Sequence, residues 1–271
     1  MKIKIRVHKK LILNSIREKN GGLNVMGIEY TNSSLVDIVR LTKHKTNGRN
    51  NNKIDTITIH IIVGQWTAKK GVDYFATTDR KCSCNYVVGC DGSVGLCVEE
   101  CNTSWCSSNT KNDRRAITIE VASDTKTPYK VRDKAYEKLI LLVADICKRN
   151  GIEKLVWSDN SVYRVNHLNG CNMTVHKDFK NKDCPGTYLY NKHADIAERV
   201  NKILSEEQSF RVRVHKDIDL NIRAGAGMKY KINGVISGGG VFTIVKVDGH
   251  WGKLKSGAGW ISILDDYVDR L

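Results

Sequence analysis

A chain of 271 residues with 41% hydrophobic side chains is long enough to bury a sizeable core and to form one large domain with a small one. No apolar run approaches the about 18 residues that a membrane span requires, so no span is expected. The formal net charge of +15 is uneven: residues 1–55 carry 12 basic and 4 acidic side chains (+8), residues 56–209 carry 22 and 19 (+3), and residues 210–271 carry 10 and 6 (+4), which concentrates attraction for a polyanion at the two ends.

In chain order, the opening M-K-I-K-I-R-V-H-K-K sets Ile3, Ile5 and Val7 against Lys4, Arg6 and His8, which predicts a strand with one basic face and lacks the continuous apolar segment of a signal peptide. Residues 1–28 form a basic extension, and I-K-I-R-V-H-K-K-L-I-L-N-S-I-R (3–17) resembles F-R-V-R-V-H-K-D-I-D-L-N-I-R (210–223), as a duplicated fragment would. The loop composition of G-R-N-N-N (48–52) leads into Ile57-Thr58-Ile59-His60, a β-branched run of period two with an imidazole at its C-terminal end. Residues 83–88 and 93–99 read as strands joined through Cys90-Asp91-Gly92, whose D-G pair signals a hairpin. Residues 116–122 alternate again and place Glu120 in a strand.

Ala135, Leu139, Leu142, Val143 and Ile146 form a helical stripe between Asp133 and Asn150, with Gly151 as its stop. Leu189, Ile196, Val200 and Ile203 mark a second helix over 188–204. Strands interleaved with helices predict an α/β domain over 29–204, a mixed β-sheet flanked by helices. Ser205 to Ser209, S-E-E-Q-S, reads as a linker, and residues 210–271, with short β-runs and glycine turns, as a small all-β barrel. Tyr230, Phe242, Trp251 and Trp260 are divided between that barrel's core and a candidate ligand face.

The nine cysteines include Cys82, Cys84, Cys90, Cys97, Cys101 and Cys106, with no C-x2-C pair, so a zinc ribbon matches poorly. An odd count without a secretion signal argues against a disulfide framework. Most of them read as reduced, partly buried residues on strands, with a second metal as the lesser alternative.

The densest chemistry lies in V-H-K-D-F-K-N-K-D-C-P-G (175–186), where His176 and Cys184 bracket Lys182 and Pro185-Gly186 turns the chain. Imidazole and thiolate are ligands that zinc prefers, and a catalytic zinc takes three protein ligands and keeps one open position. His60 is the best third candidate. Spacing alone leaves this metal set in competition with ordinary core roles for each residue.

T-I-T-I-H-I-I-V-G-Q (56–65), S-C-N-Y-V-V-G-C-D-G-S-V (83–94), S-W-C-S-S-N (104–109), A-I-T-I-E-V-A-S-D (116–124) and H-K-D-F-K-N-K-D-C-P-G (176–186) together resemble the zinc N-acetylmuramoyl-L-alanine amidases, a family of phage endolysins and peptidoglycan recognition proteins, and in particular the clostridial phage type. The resemblance spans residues 30–204. It implies a peptidoglycan hydrolase that cuts between N-acetylmuramic acid and L-alanine, with Zn2+ on His60, His176 and Cys184. Residues 210–271 resemble a bacterial SH3 domain of the wall-binding kind.

Glu120, on a strand with apolar neighbours, is the expected general base, and Lys182 the expected partner of the developing oxyanion. The resemblance also puts Tyr86 at the site. Asn85 stands where many relatives have His and is given no ligand role. Residues 158–174 look like an insertion, and its His167 and Cys171 are weaker rival ligands. The expected partners are peptidoglycan and, through the basic ends, anionic wall polymers, with cytoplasmic residence until release to the wall. A non-catalytic peptidoglycan-binding protein of the same fold is the alternative; a specific nucleic-acid binder lacks any recognisable motif.

Overall fold

A computed structural model of the chain describes residues 31–207 and 209–271; the strand expected at the N-terminus lies outside them. The first part contains β1 (Ile38–Val39), β2 (Lys45–Thr46), β3 (Thr56–Val63), α1 (Ala68–Thr77), β4 (Tyr86–Val88), β5 (Val94–Leu96), β6 (Thr103–Ser104), α2 (Thr110–Arg115), β7 (Ala116–Ser123), α3 (Asp133–Arg149), α4 (Ser161–Val165), β8 (Met173–Val175) and α5 (Gly186–Glu207). Six strands form one sheet in the order β1-β5-β4-β7-β3-β8, in which only the β4–β5 hairpin is antiparallel. This is the expected mixed sheet with helices.

Alternation along β3 and β7 gives the sheet two unlike faces. Ile57, Ile59 and Ile61 join Ile117, Ile119 and Val121 in a core closed by Leu139, Leu142, Val143 and Ile146 of α3 and by Leu189, Ile196 and Val200 of α5. Each such side chain contributes roughly 1.5–3 kcal/mol on burial, so this face holds the sheet to its helices. The other face carries Thr58, His60 and Thr118, all fully buried, and buried polar groups must find partners. The Thr58 and Thr174 hydroxyls meet at 2.7 Å, Thr174 donates to Asn112 Oδ1 (2.9 Å), and Asn112 Nδ2 donates back to Thr58 Oγ1 (3.0 Å). Farther along, α1 covers this face by packing Ala68, Val72 and Phe75 with Ile62 and Val87.

Several expectations shift. His60 lies three residues before the end of β3, because the strand continues to Val63. Residues 205–207 extend α5 instead of beginning a linker. The cysteines at 82–106 lie in the segments flanking β4, β5 and β6, outside the strands themselves, and all nine are free thiols.

The C-terminal part contains β9 (Phe210–Val214), β10 (Asp219–Arg223), β11 (Ile232–Ser237), β12 (Val241–Asp248), β13 (Trp251–Leu254), β14 (Trp260–Ser262) and β15 (Val268–Arg270). They form an antiparallel sheet in the order β11-β10-β14-β13-β12-β9-β15. Its own core comprises Val212, Val214, Leu220, Ile236, Ile244, Leu254, Ile261 and Val268, with Phe242 packed against it. Tyr230 is exposed, whereas Trp251 and Trp260 are half-buried.

Candidate active site and metal centre

Strand register builds the site. Glu120 of β7 pairs with His60 of β3 on one side and with Val87 of β4 on the other. On the far side of β3, Ile59 pairs with Val175, the last residue of β8, so His176 follows at the position beside His60. Glu120 and His60 therefore share one row of the sheet, and His176 leaves the end of β8 beside it. The rings of His60 and His176 meet edge to face at 5.0 Å.

Cys184 completes the group from the loop before α5. Its Sγ lies 3.4 Å from His60 Nδ1, and ligand atoms of His60, His176 and Cys184 all fall within 4.8 Å of one another. Tetrahedral zinc with Zn–N and Zn–S bonds of about 2.0 and 2.3 Å separates adjacent N and S ligands by about 3.5 Å, so the His60–Cys184 spacing fits. Two neutral imidazoles and a thiol that can ionise also match the donor set of such an ion.

Two of these candidate ligands are held by their surroundings. His176 opens a single turn, His176–Asp178, closed by Asp178 Oδ2, which accepts from Val175 N (3.0 Å). Asp178 in turn is gripped by Arg164 of α4: Nε donates to Oδ2 at 3.0 Å, a second bond joins Nη2 to Oδ1, and both side chains are 1% exposed. Arg164 also donates to Ser158 O (2.6 Å) and stacks on Trp157 at 4.4 Å. Lys177 N donates to Cys184 O (3.2 Å), tying the two ligand-bearing segments together. Ser108, in a left-handed conformation at φ 62°, brings its Oγ within 3.2 Å of His176 Nε2.

A family model described as N-acetylmuramoyl-L-alanine amidase matches residues 50–187, a span that contains this entire group. The chain belongs to that family. Solved structures similar to this amidase include a mutant endolysin from Bacillus subtilis (18% identity, TM-score 0.44, 61% of this chain and 99% of that one) and the PlyG catalytic domain (17%, 0.46, 62% and 94%). The N-acetylmuramoyl-L-alanine amidase LysCS from Clostridium intestinale URNW is another (15%, 0.38, 60% and 98%). No curated protein matches the chain.

Burial sets the electrostatics of the amidase site. It lowers the His60 pKa to about 3, helped by the nearby His176 and His193, and lowers that of His176 with help from Lys182. Both rings are thus held neutral, the form that ligates metals. Burial also raises the Glu120 carboxyl to about 8, against a weak bond from Cys106, and pushes the Cys184 thiol up, aided by the charge of Glu120. These shifts describe a pocket whose burial disfavours charge of either sign, and a bound cation would invert that logic for the carboxyl and the thiol.

The structure brings together His60, His176, Cys184 and Glu120, with Lys182 exposed on the adjoining loop. Tyr86 is not among them. It pairs with Ile119, one position off Glu120, and so enters the helix-covered face, where its hydroxyl donates to Glu100 Oε1 (2.5 Å) and accepts from Ser33 N (2.9 Å). Asn85 serves the backbone, its Oδ1 accepting from Thr118 N and its Nδ2 donating to Val98 O. His167 Nδ1 lies 3.0 Å from the backbone carbonyl oxygen of Cys171, and neither residue belongs to a ligand group among the described residues.

Sequence reasoning missed three contributors: Cys106, Ser108 and the Arg164–Asp178 pair. The first two lie inside S-W-C-S-S-N, which carried the resemblance without placing either residue at the site; Cys106 was read only with the other cysteines, as a reduced thiol or, as the lesser alternative, part of a second metal site. Nothing local distinguishes Arg164 from a solvated charge.

Proposed function

We propose that the amidase domain uses Zn2+ held by His60, His176 and Cys184 to cut the amide between the lactyl group of N-acetylmuramic acid and L-alanine. The convergence of these three ligands with Glu120, which shares a row of the sheet with His60, carries the reading. Zn2+ held there would supply a Lewis acid and would lower the pKa of the attacking water towards about 7. Glu120, one register pair from His60, takes a proton from the attacking water and passes it to the leaving nitrogen. Lys182, two residues before Cys184, places a positive charge beside the developing oxyanion. Arg164 and Asp178 hold the His176 turn.

In the same proposal, residues 29–204 are the catalytic unit and the sheet at 210–271 is an SH3-like module that keeps it on the wall. Exposed Arg211, Arg213, Lys246 and Lys253 on β9, β12 and β13 support attraction to anionic wall polymers. No described helix is long and apolar enough to cross a membrane. Metal analysis of Cys184→Ser tests the catalytic reading: a hydroxyl is a much poorer ligand than thiolate, so most zinc and activity are expected to go. Full zinc content and activity in that variant would refute it.

A further inference from the structure

Besides the His60–His176–Cys184 group, a second set of ligand atoms converges among the described residues. His60, Cys106 and Glu120 offer atoms within 4.8 Å of one another. Several of those atoms lack good partners. Glu120 Oε2 and His60 Nε2 are buried without any hydrogen bond, and Glu120 Oε1 has only the Cys106 thiol at 3.8 Å, which is weak for a carboxylate. The backbone that carries the thiol is held by Asp113, which accepts from the N–H groups of Cys106 (3.2 Å) and Ser107 (3.1 Å).

We propose that His60, Cys106 and Glu120 form a second, weaker site for a thiophilic divalent ion, and that its occupation inhibits hydrolysis. Imidazole, thiolate and a carboxylate favour Zn2+ or Cd2+ over Mg2+ or Ca2+, which prefer oxygen ligands. Binding of the second ion replaces the Cys106 S–H by a sulfur–metal bond, ionises the Glu120 carboxyl and, because the other ring nitrogen of His60 faces the first set, removes the remaining N–H and leaves the ring as an imidazolate shared by both sets; the three protons go to solvent, with no change of oxidation state. The second ion binds after the first, because the two sets share His60 and two like charges so close repel. Its effect on turnover follows from engaging Glu120; that part rests on the catalytic reading above, whereas the binding part rests on the geometry alone.

The test is titration of the metal-free full chain with Cd2+, followed by the ultraviolet absorption of the thiolate–cadmium bond. The wild type is expected to show two steps. Cys106→Ser, a near-isosteric change, should keep the first step and weaken the second by about 100-fold, and Glu120→Gln should weaken the second while every thiol remains. With Zn2+, the concentration that halves activity, measured against each protein's own rate at one equivalent, should rise by a similar factor in Cys106→Ser.

A single step in the wild type, or a second step that persists in Cys106→Ser, overturns the proposal. If Cys184→Ser leaves the first step intact while Cys106→Ser removes the second, the catalytic assignment falls and this site stands. Loss of the first step in Cys106→Ser overturns both.

Discussion

Arg164→Met should loosen the metal centre from a distance. The guanidinium is the partner of Asp178, both side chains being 1% exposed, and Asp178 closes the turn that begins with His176. Removing one member of a buried ion pair leaves the other uncompensated and costs about 3–5 kcal/mol of stability. Displacing the support of a metal-ligating histidine weakens metal affinity by about 10–100-fold. Lysine cannot reproduce the two-pronged contact, so Arg164→Lys should fall between the two.

The assay is zinc affinity by chelator competition on folded protein, alongside thermal unfolding. Leu142→Ala, in the core between α3 and the sheet, serves as a control that destabilises without touching the site. The control should keep wild-type zinc affinity, whereas Arg164→Met should not. Arg164→Met with unchanged zinc affinity would show that the pair stabilises the fold without positioning His176.

Other outcomes follow from the same structure. Glu120→Ala should retain zinc yet lose about 10²-fold or more in turnover, and Lys182→Ala about 10²–10³-fold, as measured by dye release from purified walls; loss of zinc in either would reassign that residue to ligation. In metal-free protein, Glu120 titrates at about 8 in the fold against 4.5 unfolded, so its contribution is complete below about 4.5 and is lost as pH rises through about 8. At about 1.4 kcal/mol per pH unit this is a loss of a few kcal/mol, and denaturant melts of Glu120→Gln should lack it; identical slopes of stability against pH between about 4.5 and 8 in both proteins would contradict the assigned burial. His60 works in the opposite direction, its folded pKa of about 3 making the metal-free protein lose stability as pH falls below about 6.5. Deleting residues 210–271 should reduce wall binding at low and high salt alike, while deleting 1–28 should matter only at low salt, where screening is weak; pull-down with purified walls distinguishes the two.

Much of this was legible in the chain. The stripe from Ala135 to Ile146 locates α3 almost to the residue, because one face of that helix is uniformly apolar. The period of two in Ile57–His60 gives β3, and H-K-D-F-K-N-K-D-C-P-G supplies two of the three residues that converge on the candidate metal centre. The face on which a residue lies was harder. Tyr86, Val87 and Val88 are all fully buried, so no alternation of polarity reveals that Tyr86 and Glu120 point to opposite sides; only the offset between β4 and β7 does. α1 escaped notice because Lys69, Lys70 and Gly71 interrupt a short apolar stripe, although Thr67 accepts from Lys70 N to cap it. Arg164 and Asp178 lie 14 positions apart, and nothing between them signals that the two charges will be buried as a pair.

The central claim is that Zn2+ on His60, His176 and Cys184 enables cleavage of the lactyl–alanine amide. Mass spectrometry of peptidoglycan digested by zinc-loaded and metal-stripped protein tests it most directly. The account predicts new L-alanine amino termini and free lactyl carboxylates from the loaded protein, none from the stripped protein, and no new reducing sugar ends from either. New reducing ends, or equal release of alanine termini by the stripped protein, would contradict it.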